Sequence, residues 1–358
     1  MRVLQLIDTL SPGGAEKMAV NFANKLSEKI VFSGLVATRF DGDLRDDINV
    51  NISYECLHKK HALDLKALFK LKRYVTTNQV QIVHAHGTTF FTAFLLKCVC
   101  SKIKIIYHEH FGGRANETFS QNLFLIFCSL FFTEIIVVNP DLKQWCDKFL
   151  LCKNVSFLPN FSSLSNDEIA TTTLKGANGK RMLMLANLKS PKNHLFVLKT
   201  FYESNLFLES WTLHLVGKIF YDHYYADLHE FVSKVQLQNA IFFYDSRQDI
   251  KNILSQSTIG ILASTSEGFP VSILEYAQMK LPVISTNVGY CASVIKNNQT
   301  GFLFNPLDQQ DFQTQLNLCV ADKDLRSKLA ENLHQNCEDN YSENAVILQL
   351  ISIYSKNQ

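Results

Sequence analysis

Residues 266–289 read SEGFPVSILEYAQMKLPVISTNVG. They follow an apolar run, residues 259–264, that has the pattern of a buried strand. Gly268 permits an unusual turn, and Pro270 restricts the chain just before residues 272–279, which read as a helix. Residues 282–285 are strand-like again. The backbone N–H groups of Val271, Ser272 and Ile273 are expected to be free at the helix start, where they favour an anion. Glu267 precedes this helix and Glu275 lies about two turns into it. The two carboxylates are therefore placed to touch different parts of one elongated ligand, with a phosphate between them.

The same alternation extends in both directions. Residues 3–7 read as a strand, Gly13 and Gly14 as a turn, and residues 15–26 as a helix with Met18, Phe22 and Leu26 on one face. Strand-like runs recur at 31–37, 81–86, 103–110, 134–139, 182–186, 211–216 and 240–243, with helical segments between, and residues 309–354 are mostly helical. Such alternation implies parallel sheets covered on both faces. Residues 162–180 are rich in Ser, Thr, Asn and Gly and read as a linker by composition. The expected division is a first domain at 1–165, a linker at 166–180, a second domain at 181–335, and a C-terminal helix at 336–358 crossing back to the first domain. The fold class is α/β, with two doubly wound Rossmann-like domains facing a cleft. Ligands of such sheets bind at the carboxyl ends of the strands.

Composition narrows the function. The chain has 358 residues, 47% hydrophobic and 19% charged, with a net charge of +2. That supports a substantial core and argues against a disordered chain or a dedicated nucleic-acid binder. Nine scattered cysteines, an odd number without a CxxC pair, point to a reducing compartment. The apolar start is too short for a secretory signal, so a cytoplasmic location is expected. The greasiest stretch, LFLIFCSLFF at 123–132, falls short of the ~20 residues that span a bilayer. It reads as a buried helix, with a helix dipping into a membrane surface as the other reading. There are 27 Phe, which could signal an apolar surface or only a Phe-rich core.

With these residues in order, the chain resembles the retaining family 4 glycosyltransferases of the GT-B fold. The resemblance rests on the E-x7-E pair Glu267 and Glu275 in their setting, Gly13-Gly14-Ala15-Glu16, His84-Ala85-His86, Leu158-Pro159-Asn160, Ala186-Asn187-Leu188 through Lys192-Asn193, and Gly301-Phe302-Leu303-Phe304. It covers nearly the whole chain.

The resemblance implies roles. Glu275 would bind the ribose hydroxyls of a nucleotide-sugar donor, UDP- or GDP-linked. Glu267 would contact the donor sugar near the reacting centre. Lys192 would neutralise the departing diphosphate, joined by Gly13, Gly14 and the donor-side residues Gly268, Phe269, Pro270, Val271 and Ser272. His110 would be a catalytic-cleft histidine, with His86 and Arg114 on the acceptor side. Many members carry Arg where this chain has Asn187, and Lys189 is close enough in sequence to compensate. The implied activity is hexosyl or N-acetylhexosaminyl transfer in bacterial surface polysaccharide assembly. The acceptor is expected to be a glycan, lipid-linked, at the cytoplasmic face of the inner membrane. No metal or other cofactor and no nucleic acid are expected.

Two other classes stay open at this point. His84, His86, His108 and His110 form two HxH pairs, and residues two apart on a strand share a face, which would suit a metal-dependent hydrolase. A nucleotide-sugar-binding subunit without turnover is the other. Asp41-Gly42-Asp43 mimics a DxD motif but reads as a solvated turn.

Overall fold

A computed structural model describes residues 1–164 and 169–357. The chain divides into two units, Met1–Asn160 with Glu343–Gln358, and Phe161–Ser342. The compositional boundary at 165/166 lies outside the described residues. From Thr171 onward the stretch read as linker is tied to the second unit. There Asp249 accepts from the backbone N–H of Thr171 (2.8 Å) and Thr172 (2.7 Å). These bonds hold the Asp249 carboxyl down at about 2, against its burial.

The first unit runs β1 Arg2–Thr9, α1 Gly14–Ser27, β2 Phe32–Phe40, β3 Ser53–Cys56, α2 Leu65–Thr77, β4 Ile82–His86, α3 Phe90–Val99, β5 Lys104–Glu109, α4 Leu123–Cys128, β6 Glu134–Val137, α5 Pro140–Phe149 and β7 Val155–Phe157. Its seven strands are all parallel in the order β3-β2-β1-β4-β5-β6-β7. The direction of winding reverses between β1 and β4, which makes that crevice the place where a ligand is expected. Helices start where the chain supplies caps. Asp64 accepts from Ala67 N–H at α2, and Asn139 with Pro140 opens α5.

The second unit runs β8 Arg181–Leu185, α6 His194–Glu203, β9 Thr212–Val216, α7 His223–Lys234, β10 Ile241–Tyr244, α8 Ile250–Ser255, β11 Ile259–Leu262, α9 Val271–Gln278, β12 Val283–Thr286, α10 Cys291–Val294, β13 Phe302–Phe304, α11 Gln309–Ala321 and α12 Lys323–Tyr341. Its six strands are parallel in the order β10-β9-β8-β11-β12-β13, and the winding reverses between β8 and β11. Met184, Leu215, Ile261 and Ile284 from four strands share one core with Phe201, Phe304 and Phe312.

The last helix, α13 Glu343–Lys356, belongs to the first unit. α12 is continuous through Tyr341, so the chain passes to the first unit at Ser342/Glu343 rather than at the expected 335/336. Tyr354 is fully buried, and Gln349 donates to the Phe157 carbonyl at 3.0 Å.

The greasy stretch is not a single buried helix. It forms α4 and a 3₁₀ turn, Ser129–Phe131. Leu125, Ile126 and Cys128 face the core, whereas Leu123, Phe124, Phe127, Leu130 and Phe131 are exposed.

Candidate functional site

In the second unit, the loops after β8 and β11 flank the winding reversal. After β8 the chain forms a 3₁₀ turn, Ser190–Lys192, then passes through Asn193 at φ +62° into α6. Thr265 N–H donates to the Pro191 carbonyl at 2.9 Å and so ties this turn to the loop after β11. The tie brings Lys192 Nζ to 2.5 Å from Glu267 Oε1. Ser264 Oγ donates to the same oxygen at 2.5 Å. Both contacts fall on Oε1, which leaves Oε2 as the oxygen they do not use. The pair is largely buried, Lys192 22% and Glu267 10% exposed. A charge-assisted bond at a strand end is thereby ready to exchange partners with an anionic ligand.

Gly289, after β12, explains why the Glu267 loop lies where it does. Its φ is +53°, and a Cβ there would sit 1.9 Å from the Glu267 carbonyl oxygen. Gly217, after β9, plays the matching part beside β8: φ is +152°, and a Cβ would lie 2.2 Å from the Ala186 oxygen. Asn187 fastens that join, because its Oδ1 accepts from Lys218 N–H at 3.1 Å. A loop-tying amide thus stands at this position, and Lys218 lies two residues beyond the end of the neighbouring strand β9. Lys189 is exposed.

Two expectations about α9 change. Val271 and Ile273 N–H are taken by the carbonyls of Phe269 and Pro270, both at 3.0 Å, because the helix opens with tight local turns. Phe269 is buried against Tyr290, with centroids 5.2 Å apart, and Tyr341, 5.6 Å. Its side chain therefore holds the loop. Gly268 and Pro270 are buried as well, while Ser272 is half-buried. Glu275 lies 4% exposed on α9. Tyr276, which sequence reading did not single out, fixes that helix on the sheet. Its hydroxyl accepts from Leu185 N–H at 2.8 Å and donates to Ile261 O at 3.1 Å, and its ring fills the space left by Gly260.

In the first unit, Gly13 is the extended residue before α1, at φ −165°. A Cβ on it would lie 2.3 Å from Glu16 Oε2, so the Glu16 carboxylate folds back over the helix start. The histidines gather beneath the crevice between β1 and β4. Gln5 Nε2 donates to Tyr354 OH (3.2 Å), and its Oε1 accepts from His86 Nε2 (2.8 Å). With the amide in that orientation the tautomers follow. Neutral His86 accepts at Nδ1 from His110 Nε2 at 2.9 Å, which leaves His110 Nδ1 unprotonated and without a partner among the described residues. On the other branch Tyr354 OH donates to His84 Nδ1 (2.6 Å), and His84 Nε2 donates to His108 Nδ1 (3.1 Å). Burial pushes all four rings below the usual histidine range, His110 to about 3.

Nitrogens of His84, His86 and His108 lie within 4.8 Å of one another, a spacing one cation could bridge. Those rings are already committed to Gln5, Tyr354 and His110. Glu109 does not join them: it accepts from Tyr107 OH (2.6 Å), Phe111 N–H (2.9 Å) and Arg114 Nε.

Arg114 is therefore not presented to an acidic acceptor as expected. Its guanidinium is neutralised by Glu109 and Glu117, donates to Asn122, and lies over the rings of Phe111 and Trp145. It shapes the loop after β5. The DxD-like turn is structural too. Asp41 accepts from Tyr54 OH and pairs with Arg45, and Gly42 packs against the Leu10 backbone.

Two family models match this chain. The model of "Glycosyltransferase Family 4" matches residues 12–164 and that of "Glycosyl transferases group 1" matches residues 165–336. An Escherichia coli UDP-Gal:α-D-GlcNAc-diphosphoundecaprenol α-1,3-galactosyltransferase is 24% identical over 77% of this chain and 74% of its own length. A Campylobacter jejuni N,N'-diacetylbacillosaminyl-diphospho-undecaprenol α-1,3-N-acetylgalactosaminyltransferase is 29% identical over 61% of this chain and 56% of its own. Among solved structures, Anabaena HepE in complex with UDP and glucose superposes with a TM-score of 0.83 at 16% identity, covering 99% of both chains. The shared architecture is the GT-B fold.

Proposed function

This chain belongs to the family 4 glycosyltransferases, and on that premise we propose that it moves a sugar from a uridine diphosphate sugar to a hydroxyl of a lipid-linked glycan, with retention of configuration. The observation that carries this reading is the Lys192–Glu267 pair at the winding reversal of the second unit. The donor's sugar–phosphate bond breaks, its electron pair stays on the diphosphate oxygen, and the acceptor hydroxyl oxygen forms the new bond to the same carbon. The acceptor proton passes to the departing diphosphate. Lys192 leaves Glu267 for that diphosphate and balances the charge as it develops. Glu267 then holds a donor-sugar hydroxyl, and Glu275 the ribose hydroxyls. His110 offers Nδ1 as an acceptor to a substrate hydroxyl. With Lys192 supplying the counter-charge, the reaction needs no metal. Release of nucleoside diphosphate from a nucleotide sugar, undiminished in chelator, tests this reading.

The product belongs to surface polysaccharide assembly, carried out at the cytoplasmic face of the membrane. No helix among the described residues is long and apolar enough to cross a membrane. The exposed side of α4 and the following turn is apolar, and α2 exposes Leu65 and Phe69 beside Lys66, Lys70 and Arg73. Such a surface suits insertion at the headgroup level of anionic lipid. Wild-type protein is expected to sediment with phosphatidylglycerol vesicles, and Phe124→Ser/Phe127→Ser to remain in the supernatant. Equal sedimentation of the two, or none of the wild type, would remove the membrane assignment.

A further inference from the structure

Above the histidines, two cations converge on one carboxylate. Asp8, at the end of β1, accepts from Thr38 Oγ1 on Oδ1 (2.5 Å) and from Thr88 Oγ1 on Oδ2. Arg39, from the end of β2, has Nε 3.6 Å from Asp8 Oδ1, and Lys59, beyond β3, has Nζ 3.9 Å from the same atom. Both separations are too long for hydrogen bonds. The hydroxyls therefore occupy Asp8, and the cations balance its charge without donating to it. Asp8 thus faces two cations whose N–H donors it does not take, and Asp64 adds a weaker field at Lys59.

Lys59 makes the arrangement unusual. Its side chain is 9% exposed. Its short contact is a neutral one, Nζ to Thr92 Oγ1 at 2.8 Å. Burial lowers its pKa despite the nearby Asp8. A largely buried ammonium whose counter-ion is held at arm's length gains most from an arriving anion.

Thr92 stands on α3, and α3 carries the apolar side of the same region. Phe91 packs on Phe124 at 4.9 Å, and Phe94 packs on Phe127 at 5.8 Å and Phe131 at 5.0 Å. Lys59 thus meets the first turn of α3, and the exposed rings of Phe124, Phe127 and Phe131, packed on Phe91 and Phe94, lie along the same helix. An amphiphile with a charged head and an isoprenoid chain matches that order.

We propose that Arg39 and Lys59 bind the diphosphate of an isoprenoid-diphosphate acceptor, with its chain laid along α3 and α4. The assignment rests on the acceptor reading above and goes further, because it gives the anion contact to residues other than Arg114. It also separates the acceptor's diphosphate from the donor's, which Lys192 receives in the second unit.

Farnesyl diphosphate is the probe, titrated into the full chain by calorimetry. In Arg39→Gln/Lys59→Met its Kd is expected to rise about tenfold or more. In Lys192→Met it is expected to stay at the wild-type value. Arg39→Gln alone changes an exposed side chain, so it reports on the site even where the double variant fails to fold, with a rise of about threefold or more. Thermal midpoints establish that each variant is folded. Binding unmoved by the Arg39 and Lys59 changes, or lost in Lys192→Met, overturns the proposal. So does an affinity for farnesol equal to that for farnesyl diphosphate. Donor turnover without acceptor is read on the same preparation. Turnover without farnesyl diphosphate binding overturns the acceptor site and leaves the transferase reading standing. Binding without turnover counts against the donor reading and supports the acceptor site.

Discussion

Glu267→Gln is expected to lower kcat by about two orders of magnitude while the donor KM stays within about threefold. Gln keeps the shape and one carbonyl oxygen for Ser264, so the loop between β11 and α9 is retained. What it loses is the negative charge that faces Lys192 at 2.5 Å. Without that charge the Lys192 ammonium is no longer poised, and the donor-sugar hydroxyl loses an ionised acceptor. Glu275→Ala is the counterpart. It sits on a helix fixed by Tyr276 and is assigned to ribose, away from the bond that breaks. Its expected effect is a donor KM raised about tenfold or more, with a smaller change in kcat. Steady-state kinetics on both variants separate the roles. An unchanged kcat in Glu267→Gln, or an unchanged KM in Glu275→Ala, would dissolve the assignment of the pair.

Acid is expected to unfold the protein steeply, beginning near pH 6.5. His84, His86, His108 and His110 are buried neutral, each with its native pKa pushed below the ordinary 6.5 by burial. The unfolded chain takes up these protons around pH 6.5, and the native chain does so only at lower pH. The unfolded state therefore binds more protons in that window. The stability is fully present above pH 6.5 and is lost as pH falls toward the native values. Each such group contributes at most about 1.4 kcal/mol per pH unit. The four acting together approach about 5 kcal/mol over one unit, against a typical total of about 5–15 kcal/mol. In the second unit His194 and His214 act in the same direction, with native values of about 3 and about 4. Urea midpoints measured at pH 7.5 and pH 5.5 should differ widely. Equal midpoints would mean that the histidine cluster is not held neutral.

Much of the fold was legible in the sequence because parallel strands buried on both faces leave continuous apolar runs, such as Ile259–Leu262, between helical patterns. β3 left no such mark. It is a four-residue edge strand, Ser53–Cys56, mostly half-buried, and its pattern is that of a loop. The stretch at 123–132 misled because its composition is apolar all round, while only the fold decides which face finds a partner. Arg114 looked available because its partners Glu109, Glu117 and Asn122 are joined to it by packing, which spacing does not reveal. Gln5 and Tyr354 are 349 residues apart, so nothing local could show that their contact sets the tautomer of His110. Glu267, Glu275 and Lys192 were visible because glycines and a proline punctuate their loops. Gly289 and Tyr276 lay within the same quoted stretch and gained meaning only when the loop and helix were seen to close on them.

The proposed function has the second unit activate a nucleotide sugar through Lys192 and Glu267 without a metal. The most direct test is release of nucleoside diphosphate by the wild-type chain across a panel of UDP- and GDP-sugars, with excess EDTA present. Release from a UDP-sugar is expected at a rate unchanged by EDTA and abolished in Lys192→Met. No release from any donor, or release that disappears in EDTA and returns with added zinc, would contradict it.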